Sequence, residues 1–344
     1  TGVQTCALPI WRGKASLQLE GTTAKLTATA NELRYGTLSA EKAESSVIVT
    51  GFQNKPAGNI TLEVDNIRSD AVLLNRLAIK GQGDAGEITL SASTKGCLNA
   101  AQDPSTDIEC ETLIRVFPAE RRLYLGRTKG RFGTFPVSLE TDTSLTFQNG
   151  GFELGPMALR VGDGTIRADI LMNDDALQGN CRLEKLPLAL GRLFSPAAIT
   201  GVLDGSIAFG GTPDNPAIET TLAVSEARLD LESATAVAPM NARLQSRLLA
   251  GRLEASVAAD MKDIMTVEAR GSLPVSLQLK PWLFELQPTA PVSGALSYTL
   301  FTAPLFQALE VMNHQLDAKF KGDFTLSGSL QALQASGDAY VEGG

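Results

Sequence analysis

The sequence predicts an all-β fold, mainly one long antiparallel sheet with a few short amphipathic helices. Three observations carry this reading: period-2 alternation along most of the chain, turn residues about every ten positions, and few aromatics. Ile60, Leu62 and Val64 share one strand face, with Thr61, Glu63 and Asp65 on the other. The pattern recurs at Ile88 and Leu90, Leu145 and Phe147, Ile207 and Phe209, and Leu222 and Val224. It returns at Leu229 and Leu231, Leu277 and Leu279, and Phe324 and Leu326. Gly, Asn, Asp and Pro punctuate these runs, which is a hairpin and meander pattern. One apolar and one polar face per strand implies an antiparallel sheet with one face in water. Aromatics make up 6% of the 344 residues, so large rings cannot dominate a core.

The bulk numbers narrow the function classes. A chain that is 43% hydrophobic and 20% charged is not disordered by composition. A formal net charge of -8 argues against nucleic-acid binding, which needs a basic surface. No run approaches the roughly 18–20 apolar residues of a membrane-spanning helix. Residues 1–10, TGVQTCALPI, read as the conceptual translation of a short-read sequencing adapter and are set aside from fold reasoning. On that reading the natural N-terminus, with any signal or anchor, lies outside the sequence.

From residue 11 to 185 the sequence reads as a repetitive β segment. Within it, Cys97 and Cys110 flank the polar loop LNAAQDPSTDIE, and in an oxidising compartment a hairpin there could pair them as a disulfide. The run ERRLYLGRTKGRFG gathers Arg121, Arg122, Arg127, Lys129 and Arg131 against an acidic background. It is either a solvated basic hairpin face or a contact for an anionic headgroup, phosphate or carboxylate. NDD at 173–175 reads as a turn with two solvated carboxylates.

Residues 186–344 read as further β segment with short helices. LPLALGRLFSPA (186–197), LKPWLFELQP (279–288) and TAPLFQALEVMNHQL (302–316) are expected as short helices. The last places Leu305, Leu309, Met312 and Leu316 on one helical face, with Pro304 in the first turn. A gapless repeat links Gly205 with Gly322. Offsets +2, +4 and +6 pair Ile207 with Phe324, Phe209 with Leu326 and Gly211 with Gly328. At +8 Pro213 answers Leu330, so the two turns are expected to differ in chemistry.

Catalytic chemistry has little to work with. The only histidine, His314, reads as a boundary residue of a helix rather than a base. The cysteine spacings fit no zinc pattern, and no glycine-rich phosphate loop precedes a helix. No catalytic residue, metal site or cofactor is expected.

Three stretches in order resemble the TamB family of the AsmA-like, bridge-type lipid-transfer superfamily. They are ITGVLDGSIAFGGTPDNPAIETTLAVSEARLDL (199–231), ARGSLPVSLQLKP (269–281) and DAKFKGDFTLSGSLQALQASGDAYVEGG (317–344). The likeness covers about residues 186–344, leading into the family's C-terminal domain, and is diffuse over 11–185. It implies a curled, taco-like β-sheet whose open groove is apolar inside and polar outside. It implies a periplasmic location in a Gram-negative bacterium, with an inner-membrane anchor outside this sequence. It also implies transfer of phospholipid toward the outer membrane, or support of outer-membrane protein assembly with an Omp85-type barrel such as TamA.

The physics is independent of the likeness. A sheet with one apolar face must cover it or offer it to something apolar. A C16 acyl chain leaving water gains roughly 12 kcal/mol at about 0.8 kcal/mol per methylene. Some twenty strands at about 4.8 Å would span on the order of 100 Å. The expected lining is Ile60, Leu62, Val64, Ile88, Leu90, Ile207, Phe209, Leu222, Val224, Leu277, Leu279, Phe324 and Leu326. A transmembrane barrel would show aromatic girdles, and four Tyr and two Trp do not supply them. The stronger rival is a secreted or surface β-rich protein, such as an adhesin or autotransporter passenger, with a closed, filled core.

Overall fold

The computed structural model describes residues 10–35, 37–53, 55–69, 72–98, 107–148, 150–193, 199–229, 238–308 and 317–343. Among these it has 22 strands, every named pairing being antiparallel, and one seven-residue α-helix. The all-β expectation holds. The chain divides into two compact units. One comprises Thr1–Phe147, Leu154–Gly162 and Arg192–Pro196; the other comprises Gln148–Glu153, Asp163–Gly191 and Ala197–Gly344.

The first unit is a meander. Its strands begin with β1 (Ile10–Glu20), β2 (Thr23–Tyr35), β3 (Leu38–Thr50) and β4 (Ala57–Arg68). They continue with β5 (Val72–Asp84), β6 (Ile88–Leu98), β7 (Asp107–Phe117) and β8 (Arg122–Phe132). Each pairs with the next. β8 then pairs with both β9 (Phe135–Thr141) and β10 (Thr143–Gln148), and β9 with β11 (Gly151–Val161). Local turn chemistry fixes the corners. The Asp84 carboxylate accepts the N–H groups of Gly86 (2.8 Å) and Glu87 (3.1 Å), closing the β5–β6 turn.

The second unit continues the plan with β12 (Gly164–Met172), β13 (Leu177–Pro187), β14 (Ile199–Thr212) and β15 (Asn215–Leu229). Next come β16 (Met240–Leu249), β17 (Arg252–Met261) and β18 (Met265–Leu279). Last are β19 (Trp282–Leu286), β20 (Ser293–Phe301), helix α1 (Thr302–Ala308), β21 (Lys319–Ser329) and β22 (Ala332–Glu342). The long β18 pairs with β20 along its first half and with β19 along its last five residues. Asn173 Oδ1 accepts from the N–H groups of Asp175 (2.9 Å) and Ala176 (2.8 Å), making the expected NDD turn.

The Gly205/Gly322 repeat is a repeated hairpin. Gly205 stands opposite Leu222 and Gly322 opposite Ala339, so both ladders have the same register. Gly211 and Gly328 both have positive φ, +84° and +103°. A Cβ on Gly211 would stand 2.5 Å from Asn215 O, and one on Gly328 would stand 2.3 Å from Ala332 O. Hydroxyls at equivalent places, Thr212 and Ser329, each accept the N–H three residues on at 3.2 Å. The two turns therefore share their chemistry despite Pro213 and Leu330: glycine and hydroxyl set the geometry, and the +8 side chain does not.

Two helix expectations need correction. LKPWLFELQP forms the end of β18, a two-residue turn and β19. Trp282, Phe284 and Leu286 alternate with Leu283 and Glu285, and a ten-residue span bounded by prolines is too short to nucleate a helix against a free strand edge. In LPLALGRLFSPA, Leu186 and Pro187 finish β13 and Leu188–Leu193 form a 3-10 helix; residues 194–197 lie outside the described residues. The third expected helix starts as α1, where the Thr302 hydroxyl both donates to Ala318 O (3.1 Å) and accepts its N–H (2.9 Å). Leu309, Met312, His314 and Leu316 lie outside the described residues.

A second layer over the sheet would bury its apolar face, and burial is sparse. The buried apolar side chains among the described residues include Val137, Val161, Leu177, Leu186, Leu248, Ile264 and Val275.

Candidate functional site

Directly opposed residues in an antiparallel ladder share a face, so register turns single-strand alternation into continuous rows. In the first unit, Leu17, Leu26, Val47, Ile60, Gly81, Leu90, Ile114 and Leu125 stand opposite one another from β1 to β8. The next row along is Leu19, Ala24, Val49, Gly58, Gly83, Ile88, Val116 and Leu123. Three residues from the first row, and four on β8 across its register irregularity, the other face carries Lys14, Thr29, Glu44, Glu63, Ala78, Ser93, Glu111 and Lys129.

The second unit repeats the division. Ile166, Leu183, Gly205, Leu222, Leu244, Val257, Ala269, Leu296 and Phe324 form one row. The neighbouring row on the opposite face is Arg167, Arg182, Ser206, Thr221, Gln245, Ser256, Arg270, Ala295 and Thr325. Cross-strand ion pairs sit on that polar face, such as Arg247–Glu219 at 3.1 Å and Arg167–Glu184 at 2.5 Å. Each is solvent-exposed and worth no more than about 1 kcal/mol.

All thirteen expected lining residues fall on the apolar face of their own unit. Ile60, Leu62, Val64, Ile88 and Leu90 do so in the first. Ile207, Phe209, Leu222, Val224, Phe324 and Leu326 do so in the second, with Leu277 and Leu279 on the same parity of β18. Twelve of them are half-buried and Leu326 is 39% exposed; none is fully buried.

The recesses add a detail that alternation does not predict. In the first unit a recess of about 290 Å³ opens on the apolar face between Val47, Ile60 and Ile88, where Gly58, Gly81 and Gly83 withhold side chains. Leu90 and Ile60 lean over Gly81, within 2.8 Å of where its Cβ would be. In the second unit the larger recesses, about 860 and 670 Å³, lie on the polar face among Arg243, Gln245, Ser256, Glu268 and Arg270. Concavity there follows the polar rows, unlike the expected arrangement of an apolar inside and a polar outside. A twisted sheet is saddle-shaped, so each face is concave along one diagonal.

The basic run does not converge. Arg121 is the left-handed residue closing a 3-10 turn and Arg127 sits at positive φ by an irregularity of β8. Arg122 pairs with Glu120 at 3.1 Å and donates to the Tyr124 hydroxyl at 3.0 Å. Arg131 lies 3.9 Å from Glu109, and Lys129 stands opposite Glu111. Two of the five thus pair with carboxylates of the chain itself, as on a solvated ladder face.

Cys97 and Cys110 do not meet. Cys97 stands opposite Asp107 and Cys110 opposite Thr94 on adjacent strands, three positions apart. An odd offset puts the side chains on opposite faces, and three residues span about 10 Å, beyond the reach of a disulfide. Both are free thiols, as is Cys181. Burial raises all three thiols above their ordinary pKa, with smaller contributions from Asp107 at Cys97 and Glu111 at Cys110.

Sequence reasoning missed much of each row. Leu17, Leu26, Val47, Ile114, Leu183, Leu244 and Val257 carry the same period-2 pattern and were open to the same reading. The glycines that interrupt the rows were read only as turn formers. Trp282 and Phe284 were missed because their segment was taken as helix.

Among the described residues no helix is long and apolar enough to cross a membrane, and no three His, Cys, Asp or Glu side chains gather as a metal site. Comparisons of the chain with protein-family models, with curated proteins and with solved structures find no match.

Proposed function

We propose that this chain is a non-catalytic carrier whose apolar sheet face receives phospholipid acyl chains. The observation that carries the reading is the register: aliphatic rows run uninterrupted by charge across eight strands of one unit and nine of the other. A row of half-exposed Leu, Ile, Val and Ala matches an alkyl chain in kind and is indifferent to position along it, as a sliding ligand requires. An adhesin-like coil fills its interior, whereas here Val257, Leu296 and Leu326 keep 37–40% of their area accessible.

The likeness of residues 186–344 to the TamB family supplies the setting: the periplasm, phospholipid moving between inner and outer membranes, and an outer-membrane barrel of the Omp85 type as partner. Support of outer-membrane protein assembly belongs to the same proposal. The test is to purify the chain from a bacterial envelope, extract it and identify retained lipid by mass spectrometry. Wild type is expected to retain phospholipid, and Ile207→Asp with Phe324→Asp to lose most of it. Wild type without phospholipid would overturn the reading.

A further inference from the structure

The short hairpin at the end of β18 ends the apolar face in a different material. Leu279 stands opposite Trp282, Leu277 opposite Phe284 and Val275 opposite Leu286, so aromatic and aliphatic groups extend the face past β17 and β20. Inward it is well held: Val275 is 2% exposed, and its N–H donates to Gly251 O at 2.8 Å. The Leu279 N–H donates to Pro213 O at 2.8 Å, and Lys280 in the turn binds the Asp174 carboxylate and Gly150 O. Outward it is bare: Trp282 is 71%, Phe284 56% and Leu286 44% exposed.

We infer that this hairpin is a contact for the interfacial region of a lipid bilayer, with Trp282 and Phe284 as its anchors. Two features select the occupant. The three side chains expose about 350 Å², well below the roughly 800 Å² per partner of a stable dimer. A bilayer surface sets no such minimum, because each inserted group contributes by its own area. The hairpin is also nearly uncharged: between Val275 and Leu286 only Lys280 and Glu285 carry charge, and Lys280 is already engaged by Asp174. That suits a zwitterionic surface, where Trp and Phe settle at headgroup depth without a basic cluster. Bilayer docking goes beyond acyl-chain binding along the rows and does not depend on it.

The sequence has two tryptophans, so Trp11→Phe leaves Trp282 as the only reporter. With phosphatidylcholine vesicles at physiological salt, its emission is expected to shift to shorter wavelength. Lipids brominated near the glycerol end of the chain should quench it. Trp282→Ala with Phe284→Ala should lower vesicle co-flotation by roughly tenfold or more. An emission that stays aqueous at saturating lipid overturns the inference, as does undiminished flotation of the double variant. A blue shift that grows with protein concentration in the absence of lipid would also overturn it, by showing a second copy on the patch. None of these outcomes bears on acyl-chain binding along the rows, which retained lipid measures separately.

Discussion

Gly211→Ala is the sharpest probe of the repeated hairpin. Two costs add. An L-residue at φ +84° is strained by about 1–2 kcal/mol. The new Cβ would stand 2.5 Å from Asn215 O, about 0.8 Å inside an ordinary carbon–oxygen contact. Because that oxygen is backbone, relief means bending the turn, at roughly 1–3 kcal/mol. The lower entropy of the unfolded alanine chain returns about 0.4–1 kcal/mol. The net is about 2–4 kcal/mol. Gly328→Ala should behave alike, with φ +103° and a 2.3 Å approach to Ala332 O. Gly21→Ala is the control: φ is +57° but nothing lies within 4 Å of its Cβ, so its net cost is under about 1 kcal/mol.

A long sheet of nearest-neighbour contacts need not unfold in one step, so the assay is amide hydrogen exchange read segment by segment. Exchange in β14 and β15 should accelerate roughly thirty- to a thousandfold in Gly211→Ala, leaving the first unit unchanged. An acceleration no greater than that of β1 and β2 in Gly21→Ala would refute the reasoning about the turn.

Other predictions follow from the thiols and from one turn. Burial disfavours the thiolates of Cys97, Cys110 and Cys181. Alkylation near neutral pH should therefore be much slower in the native protein than in urea, slowest at Cys97, and mild oxidant should leave Cys97 and Cys110 unlinked. The Asp84 carboxyl is held below its ordinary pKa by the N–H groups of Glu87 and Gly86. Its contribution is thus complete above the ordinary carboxylate range and is lost as pH falls through the lowered value. The melting-temperature advantage of wild type over Asp84→Asn should accordingly shrink on acidification from pH 7 to pH 3; an advantage that grows would contradict the assignment.

Much of the sheet was legible because alternation is a local property. Ile60, Leu62 and Val64 declare a face without reference to any other strand. Register is not local, and it decided the matters that failed. Cys97 and Cys110 looked like two ends of a loop, yet β6 and β7 pair so that they face opposite sides. The basic run read either as a solvated hairpin face or as an anion contact, and only register shows Glu109 and Glu111 standing opposite Arg131 and Lys129. Segment 279–288 looked amphipathic, but the free edge of β18 recruits it as a strand. The register of the Gly205/Gly322 echo was legible, because a gapless repeat carries its register with it, but the shared turn chemistry was not, since it rests on Thr212 and Ser329 and not on the +8 side chains. Recesses on the polar face were not, since they depend on twist accumulated over many strands.

The central claim is that one face meets lipid and the other meets water, and adjacent residues can test it within one strand. Leu244 and Gln245 on β16, and Val257 and Ser256 on β17, lie on opposite faces of paired strands. Benzoylphenylalanine placed singly at each position and irradiated in cells should give phospholipid adducts, weighed by mass spectrometry. Adducts several times more abundant at 244 and 257 than at 245 and 256 are predicted; equal yields at the four positions, or adducts concentrated at 245 and 256, would contradict it.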